Sequence, residues 1–248
     1  MNKIFGDTQQ SLLNPLDVLK EKKKSGNIEQ NNDKIHVSSM KANVDYSWLS
    51  FAAKTFNISN NIDDYIIVPC ITILSDMPNA NGVSFPLKEL VAWNISNACQ
   101  GYKTFKGKPT FLEHASENID DAKGIILDVL LKKALTYGSG KVWKVVELLS
   151  FDRTKDDYLV NNILSGQINS YSMGSYVQDY SCSFCGKMQG LCDHLPKEEY
   201  DGDVTFYEHE GKIVYKQVVG MQGFETSAVS NPAFVSAISD KTWNLQKI

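Results

Sequence analysis

Arginine occurs once in the 248-residue chain, at Arg153, and the 25 lysine and arginine residues are outnumbered by 29 acids, for a formal charge of −4. That balance provides no electrostatic footprint for DNA or RNA, so nucleic acid is excluded as an expected partner. No apolar run approaches the roughly 20 residues needed to span a bilayer, so no membrane partner is expected. The opening MNKIFGDTQQ has neither a basic n-region nor an apolar h-region, which points to a protein made and kept in the cytoplasm. Cysteine is also scarce. Of the five, Cys70 and Cys99 stand alone and Cys182, Cys185 and Cys192 are close together, a distribution that excludes a disulfide framework and favours a metal. The chain has no internal repeat and no alternating strand–helix rhythm of the kind that builds parallel sheets.

A length of 248 residues suits one principal domain with a substantial core. Residues 1–60 are polar, with the charge run KEKKK at 20–24 and an Asn- and Ser-rich stretch from Ser25 to Asn43, and read as a weakly ordered arm. Within it LLNPLDVL forms either a short docking helix limited by Pro15 or part of an unstructured tail. The run DYIIVPCITIL predicts a strand that Pro69 pushes toward a sheet edge or a bulge. FPLKELVAWNIS has helical spacing, with Leu87, Leu90, Val91 and Ile95 near one face. KPTFLEH and KGIILDVLLKKAL predict further strands, and VWKVVELLSF is another strand candidate whose length also admits a helix. TKDDYLVNNILSGQI predicts a short helix, with Thr154 and Asp157 at capping-box spacing and Gly166 at the exit. GKIVYKQVV and FETSAVS read as two more strands. The sum is an α+β domain built around a sheet or barrel.

The stretch NSYSMGSYVQDYSCSFCG, residues 169–186, is the densest in chemistry. Read as a strand, it puts Tyr171, Met173, Ser175 and Val177 on one face and Ser170, Ser172, Gly174 and Tyr176 on the other. Ser172 is therefore a candidate nucleophile on the less apolar face. A serine needs a base to take its proton as it attacks, and histidine, titrating near 6.5, is the usual one. Of the four histidines, His36 lies in the arm, His194 among the cysteines and His209 in the charged YEHEGK. His114 ends the strand-like KPTFLEH, where its side chain could reach a cleft. Glu113, Glu117 and Asp120 are near it in sequence as orienting acids. Cys182, Cys185, Cys192 and His194 form Cys-x2-Cys-x6-Cys-x-His, with Gly186 permitting a tight turn. Thiolates and one imidazole at that spacing suit tetrahedral zinc, and four protein ligands leave no open position, so the metal would be structural.

The segments GKPTFLEH, VVELLSFDRTKDD, ILSGQINSYSMG, CSFCG with CDHL, and FETSAVSNPAF, in that order over roughly residues 105–240, resemble the prohead proteases of tailed bacteriophages, especially the large T4-like forms. The resemblance implies an α+β fold similar to herpesvirus assemblins: a β-barrel-like sheet flanked by helices over residues 61–248, with a zinc-knuckle insert near 180–200. By motif, Ser172 becomes the nucleophile, His114 the general base and Glu225 the orienting acid, with the amides near Met173 and Gly174, or Arg153, as oxyanion donors. The function implied is a serine endopeptidase acting inside the prohead in the host cytoplasm. Its substrates would be scaffold or core and major capsid proteins, and the chain itself, with Leu19-Lys20-Glu21 as a self-cleavage site. Homo-oligomers occur among such proteins. The competing expectation is an inactive scaffold or capsid-assembly protein that kept the fold.

Overall fold

The computed structural model describes residues 47–137, 140–195, 207–234, 237 and 243–244. The LLNPLDVL segment and Leu19-Lys20-Glu21 lie outside them. Among the described residues the strands are β1 (Tyr65–Leu74), β2 (Val83–Ser84), β3 (Trp93–Asn94), β4 (Cys99–Gln100), β5 (Pro109–Leu112), β6 (Gly124–Tyr137), β7 (Gly140–Asp152), β8 (Tyr171–Cys182), β9 (Tyr207–His209), β10 (Lys212–Val214), β11 (Lys216–Ala228) and β12 (Trp243–Asn244). Of these β1, β5, β6, β7, β8, β10 and β11 fall on expected runs, whereas β2, β4, β9 and β12 were not anticipated and β3 lies in a stretch read as helical. Among the described residues three α-helices accompany them, α1 (Ser47–Phe56), α2 (Leu87–Val91) and α3 (Asp157–Ser165). The class is α+β.

Eight strands form one mixed sheet in the order β12-β1-β7-β6-β5-β11-β2, with β8 also paired to β11. β5 and β2 each pair parallel with an end of β11, while β8 runs antiparallel along its whole length and so takes the opposite edge. The curved sheet encloses the main core, in which Ile66, Val68, Ile126, Leu131, Leu149, Phe151 and Tyr171 are fully covered. The expected barrel does not close. β1 and β8 approach one another without a ladder between them. On its outer edge β1 pairs, among the described residues, with β12 at Ile66 and Ile67; beyond that come Pro69, which lacks an N–H, and a bulge between Ile71 and Ile73 in its pairing with β7. A strand lacking a donor and bent by an extra residue cannot continue a regular ladder, and the open seam results.

Residues 47–58, assigned to the arm by composition, pack instead against the domain. Leu49, Ala52 and Phe56, spaced to share one helical stripe on α1, join Ile58, Tyr65, Ile67, Phe111, Ala122, Ile125 and Leu148 in a second apolar cluster. α2 is shorter than its spacing predicts: it ends at Val91, and Ile95 is exposed rather than on its buried face. In α3 the cap is Asp156, whose side chain accepts from the Leu159 N–H, and not Thr154; Gly166 closes the helix in the left-handed region at φ 78°. GKIVYKQVV divides between β10 and β11, and β11 runs on through FETSA as one strand. Among the described residues no helix is long and apolar enough to cross a membrane.

Candidate active site

Pairing of β8 with β11 sets Ser172 opposite Ser227 and Gly174 opposite Glu225. Directly opposed residues of an antiparallel pair project from the same face, so these four share one side of the sheet. Met173, opposite Thr226, belongs to the other side and packs on the main core beside Tyr171. The alternation that separates Ser172 from the apolar face therefore holds. Between Gly223 and Glu225 the register shifts, leaving Phe224 as an extra residue, so that Phe224 and Glu225 together oppose Gly174.

His114 arrives from β5, whose parallel pairing sets Phe111 beside Ser227 and Leu112 beside Ala228. The chain then turns sharply, with Glu113 at φ 50° and His114 at φ 57°, two successive residues in the left-handed region. Such backbone is uncommon outside glycine and must be held by its surroundings. Hydrogen bonds to β11 and the segment after it hold it: Glu113 N–H to the Ala228 carbonyl at 2.9 Å, His114 N–H to Ser227 Oγ at 3.2 Å, and Ser230 N–H to Glu113 Oε1 at 2.8 Å. Glu113 is thus engaged in the turn rather than with the imidazole.

The imidazole partner is Glu225. His114 Nδ1 lies 2.8 Å from Glu225 Oε1, and Ser227 Oγ donates to Glu225 Oε2 at 2.6 Å. Glu225 is 1 % exposed and the His114 side chain 45 %, so a buried carboxylate grips the inner edge of a ring whose outer edge reaches solvent. The hydrogen bond to Glu225 raises the His114 pKa above 6.5; burial opposes it, and the charges of Glu225 and Glu113 reinforce it. His114 and Ser172 line one cleft of about 210 Å³ along the open seam, together with Thr72, Asn79, Asn81, Phe85 and Phe234 among others. Ser172 is 8 % exposed. Among the described residues no hydrogen bond joins its hydroxyl to His114. Arg153 does not line this cleft.

A second carboxyl group, which the sequence reading did not single out, lies behind the cleft wall. Glu147 of β7 is fully buried, with Oε1 2.9 Å from Thr72 Oγ1 and Oε2 2.6 Å from Thr226 Oγ1. Thr226 Oγ1 is also 2.9 Å from the Glu225 carbonyl oxygen. One hydroxyl hydrogen cannot serve two acceptors. A protonated Glu147 that donates to Thr226, while Thr226 donates to Glu225, satisfies both contacts. Burial first, with the Glu225 charge adding to it, pushes the Glu147 pKa up to about 7 although the two threonine hydroxyls pull it down. The sequence signal was an acid inside the apolar run VVELL.

The cysteine cluster forms at the far end of β8. Cys182 ends the strand, and Cys185, Cys192 and His194 follow in a loop whose turn is completed by Gly186 at φ 71°. All four donor atoms lie within 4.8 Å of one another. Cys185 Sγ to Cys192 Sγ and Cys192 Sγ to His194 Nδ1 are both 3.6 Å. A tetrahedron with metal–sulfur bonds of about 2.3 Å has edges of about 3.8 Å, so the residues fit a metal ion. Amide N–H groups of Phe184 and His194 point at Cys182 and Cys192 sulfurs at 3.4 and 3.2 Å, as bound thiolates require. Burial opposes ionisation of Cys192, but the His194 N–H and neighbouring donors outweigh it and hold that thiol below its ordinary pKa. Ser172 and Cys182 occupy opposite ends of β8, roughly 33 Å apart at about 3.3 Å per residue. The two sites are spatially separate. No family model matches the chain, and no curated protein or solved structure does.

Proposed function

We propose that the chain is a serine endopeptidase of the phage prohead type, with Ser172 as nucleophile, His114 as general base and Glu225 as orienting acid. The observation that carries the reading is the 2.8 Å contact of His114 with buried Glu225 at a cleft that Ser172 also lines. With Nδ1–H donated to Glu225, the neutral ring keeps Nε2 free to accept the Ser172 proton as Oγ attacks a peptide carbonyl. The resulting imidazolium, stabilised by the carboxylate, then protonates the departing amine. Water repeats the sequence to release the acyl group. An oxyanion needs donors on the cleft side. Tyr171 N–H points away from β11, to Ala237 at 2.9 Å, and alternation turns Met173 N–H the same way, which favours it over Gly174.

In this reading the substrates are scaffold or core and major capsid proteins, and the chain itself, inside an assembling head in the host cytoplasm, where the enzyme could act as an oligomer. The metal is zinc, with a structural role. A second reading, an inactive assembly protein with the same fold, draws on the absence of a Ser172–His114 hydrogen bond; resting enzymes often keep that contact loose. Incubation with capsid-derived peptides discriminates. Wild type should cleave them, and Ser172→Ala and His114→Ala should each abolish cleavage while the protein stays folded. A soluble, fully active Ser172→Ala variant would remove the assignment.

A further inference from the structure

The Glu225 carboxylate occupies a place that other residues must keep open. It projects from a strand at a register shift, and such bulges turn side chains out of their regular direction. Its neighbour across the ladder is Gly174. A Cβ built on Gly174 would lie 2.5 Å from Phe224 Cζ and closer still to Glu225 Oε1, the oxygen that meets His114. Gly174 has no positive φ, so its missing side chain, not backbone freedom, is what the site uses. The carboxylate lies across the bare backbone of β8, two residues from Ser172, while Phe224 packs on Tyr176 at 4.6 Å between ring centroids and walls its outer side.

The other carboxylate oxygen is fixed by Ser227. This fully buried residue donates to Glu225 Oε2 at 2.6 Å and accepts from the His114 backbone N–H at 3.2 Å. One hydroxyl therefore ties the left-handed turn carrying the imidazole to the acid that orients it. Rotation of the carboxylate would break both the Ser227 bond and the His114 bond. The geometry points to Gly174 and Ser227 as positioning residues, a cradle that holds the Glu225 carboxylate against His114 Nδ1. Gly174 acts by leaving space and Ser227 by a shared hydrogen bond. The inference rests on the triad reading for its catalytic meaning, but the cradle itself has a readout that needs no turnover.

The test is the imidazole titration of His114, followed by NMR in the full chain and assigned against His114→Gln, in wild type, Gly174→Ala and Ser227→Ala. Unfolding temperatures are recorded alongside, and Ser227→Ala, which removes one oxygen, serves if Gly174→Ala does not fold. The expected result is a His114 pKa that falls from its raised value toward about 6.5 in each folded variant. Turnover should fall by at least about tenfold with little change in KM, as expected for a lost orienting interaction. If wild type cleaves nothing yet the pKa falls in the variants, the cradle stands and the protease reading fails. If wild type is active and both variants keep its His114 pKa and turnover, the cradle is overturned and the protease reading stands.

Discussion

Glu225 and Glu147 are both buried carboxyl groups joined through the Thr226 hydroxyl, and their surroundings differ. Glu225 meets an imidazole and a hydroxyl donor, while Glu147 is hydrogen-bonded to two threonines within the core. For Glu225 the consequence is a pH profile. In the proposed mechanism neutral His114 is the base, so kcat/KM should rise with pH through the elevated His114 pKa; Glu225→Gln should move that acidic limb toward about 6.5 and lower the plateau. An unmoved limb would separate Glu225 from the base. For Glu147 the consequence is stability. Its pKa is 4.5 in the ordinary case and about 7 when folded, so both states are protonated below 4.5. Between 4.5 and 7 the unfolded chain ionises first, and stability contributed by the neutral acid is lost as pH rises. Urea midpoints of wild type should therefore decline relative to Glu147→Gln across that window, and parallel curves would show Glu147 to be ionised throughout.

Strands carry the site, and they were legible where period-2 alternation was strong. The face assignment of Ser172 followed directly, because one residue of strand is enough to determine it. The cysteine spacing was legible for the same reason: its ligands are close in sequence, and Cys182, Cys185, Cys192 and His194 do converge. The partner of His114 was not readable from local pattern. It lies 111 positions away and depends on β5 pairing parallel with β11, so only the motif resemblance singled out Glu225 over the nearer Glu113. The cradle was hidden further, since Gly174 acquires its role from a bulge on the opposite strand. At this scale the metal is the testable part. Reduced protein should bind about one zinc per chain. Chelation or Cys192→Ser should lower the unfolding temperature by several degrees, with the loss reversed by zinc after chelation. Unchanged stability on chelation would show that the cluster holds no structural ion.

At the scale of the molecule, an incompletely closed sheet accounts for the cleft. Pro69, the β1 bulge and the two-residue pairing of β12 leave β1 and β8 unladdered, and Thr72 lines the cleft from the bulge itself. A closed barrel, expected from the resemblance, would have sealed that seam; closure depends on long-range pairing that no local pattern encodes. Glu147 spans behind it from β7 to Thr72 and Thr226, so the cleft wall and the strand bearing Glu225 are joined through one buried acid. The proposed function turns on a single chemical event, proton transfer from Ser172 to His114. The most direct measurement is labelling of the native full-length protein with a fluorophosphonate, followed by peptide mapping. The account predicts a covalent adduct on Ser172 that is absent in His114→Ala and strongly slowed in Glu225→Ala. Intact wild type that takes no label, or takes it equally well without His114, would contradict it.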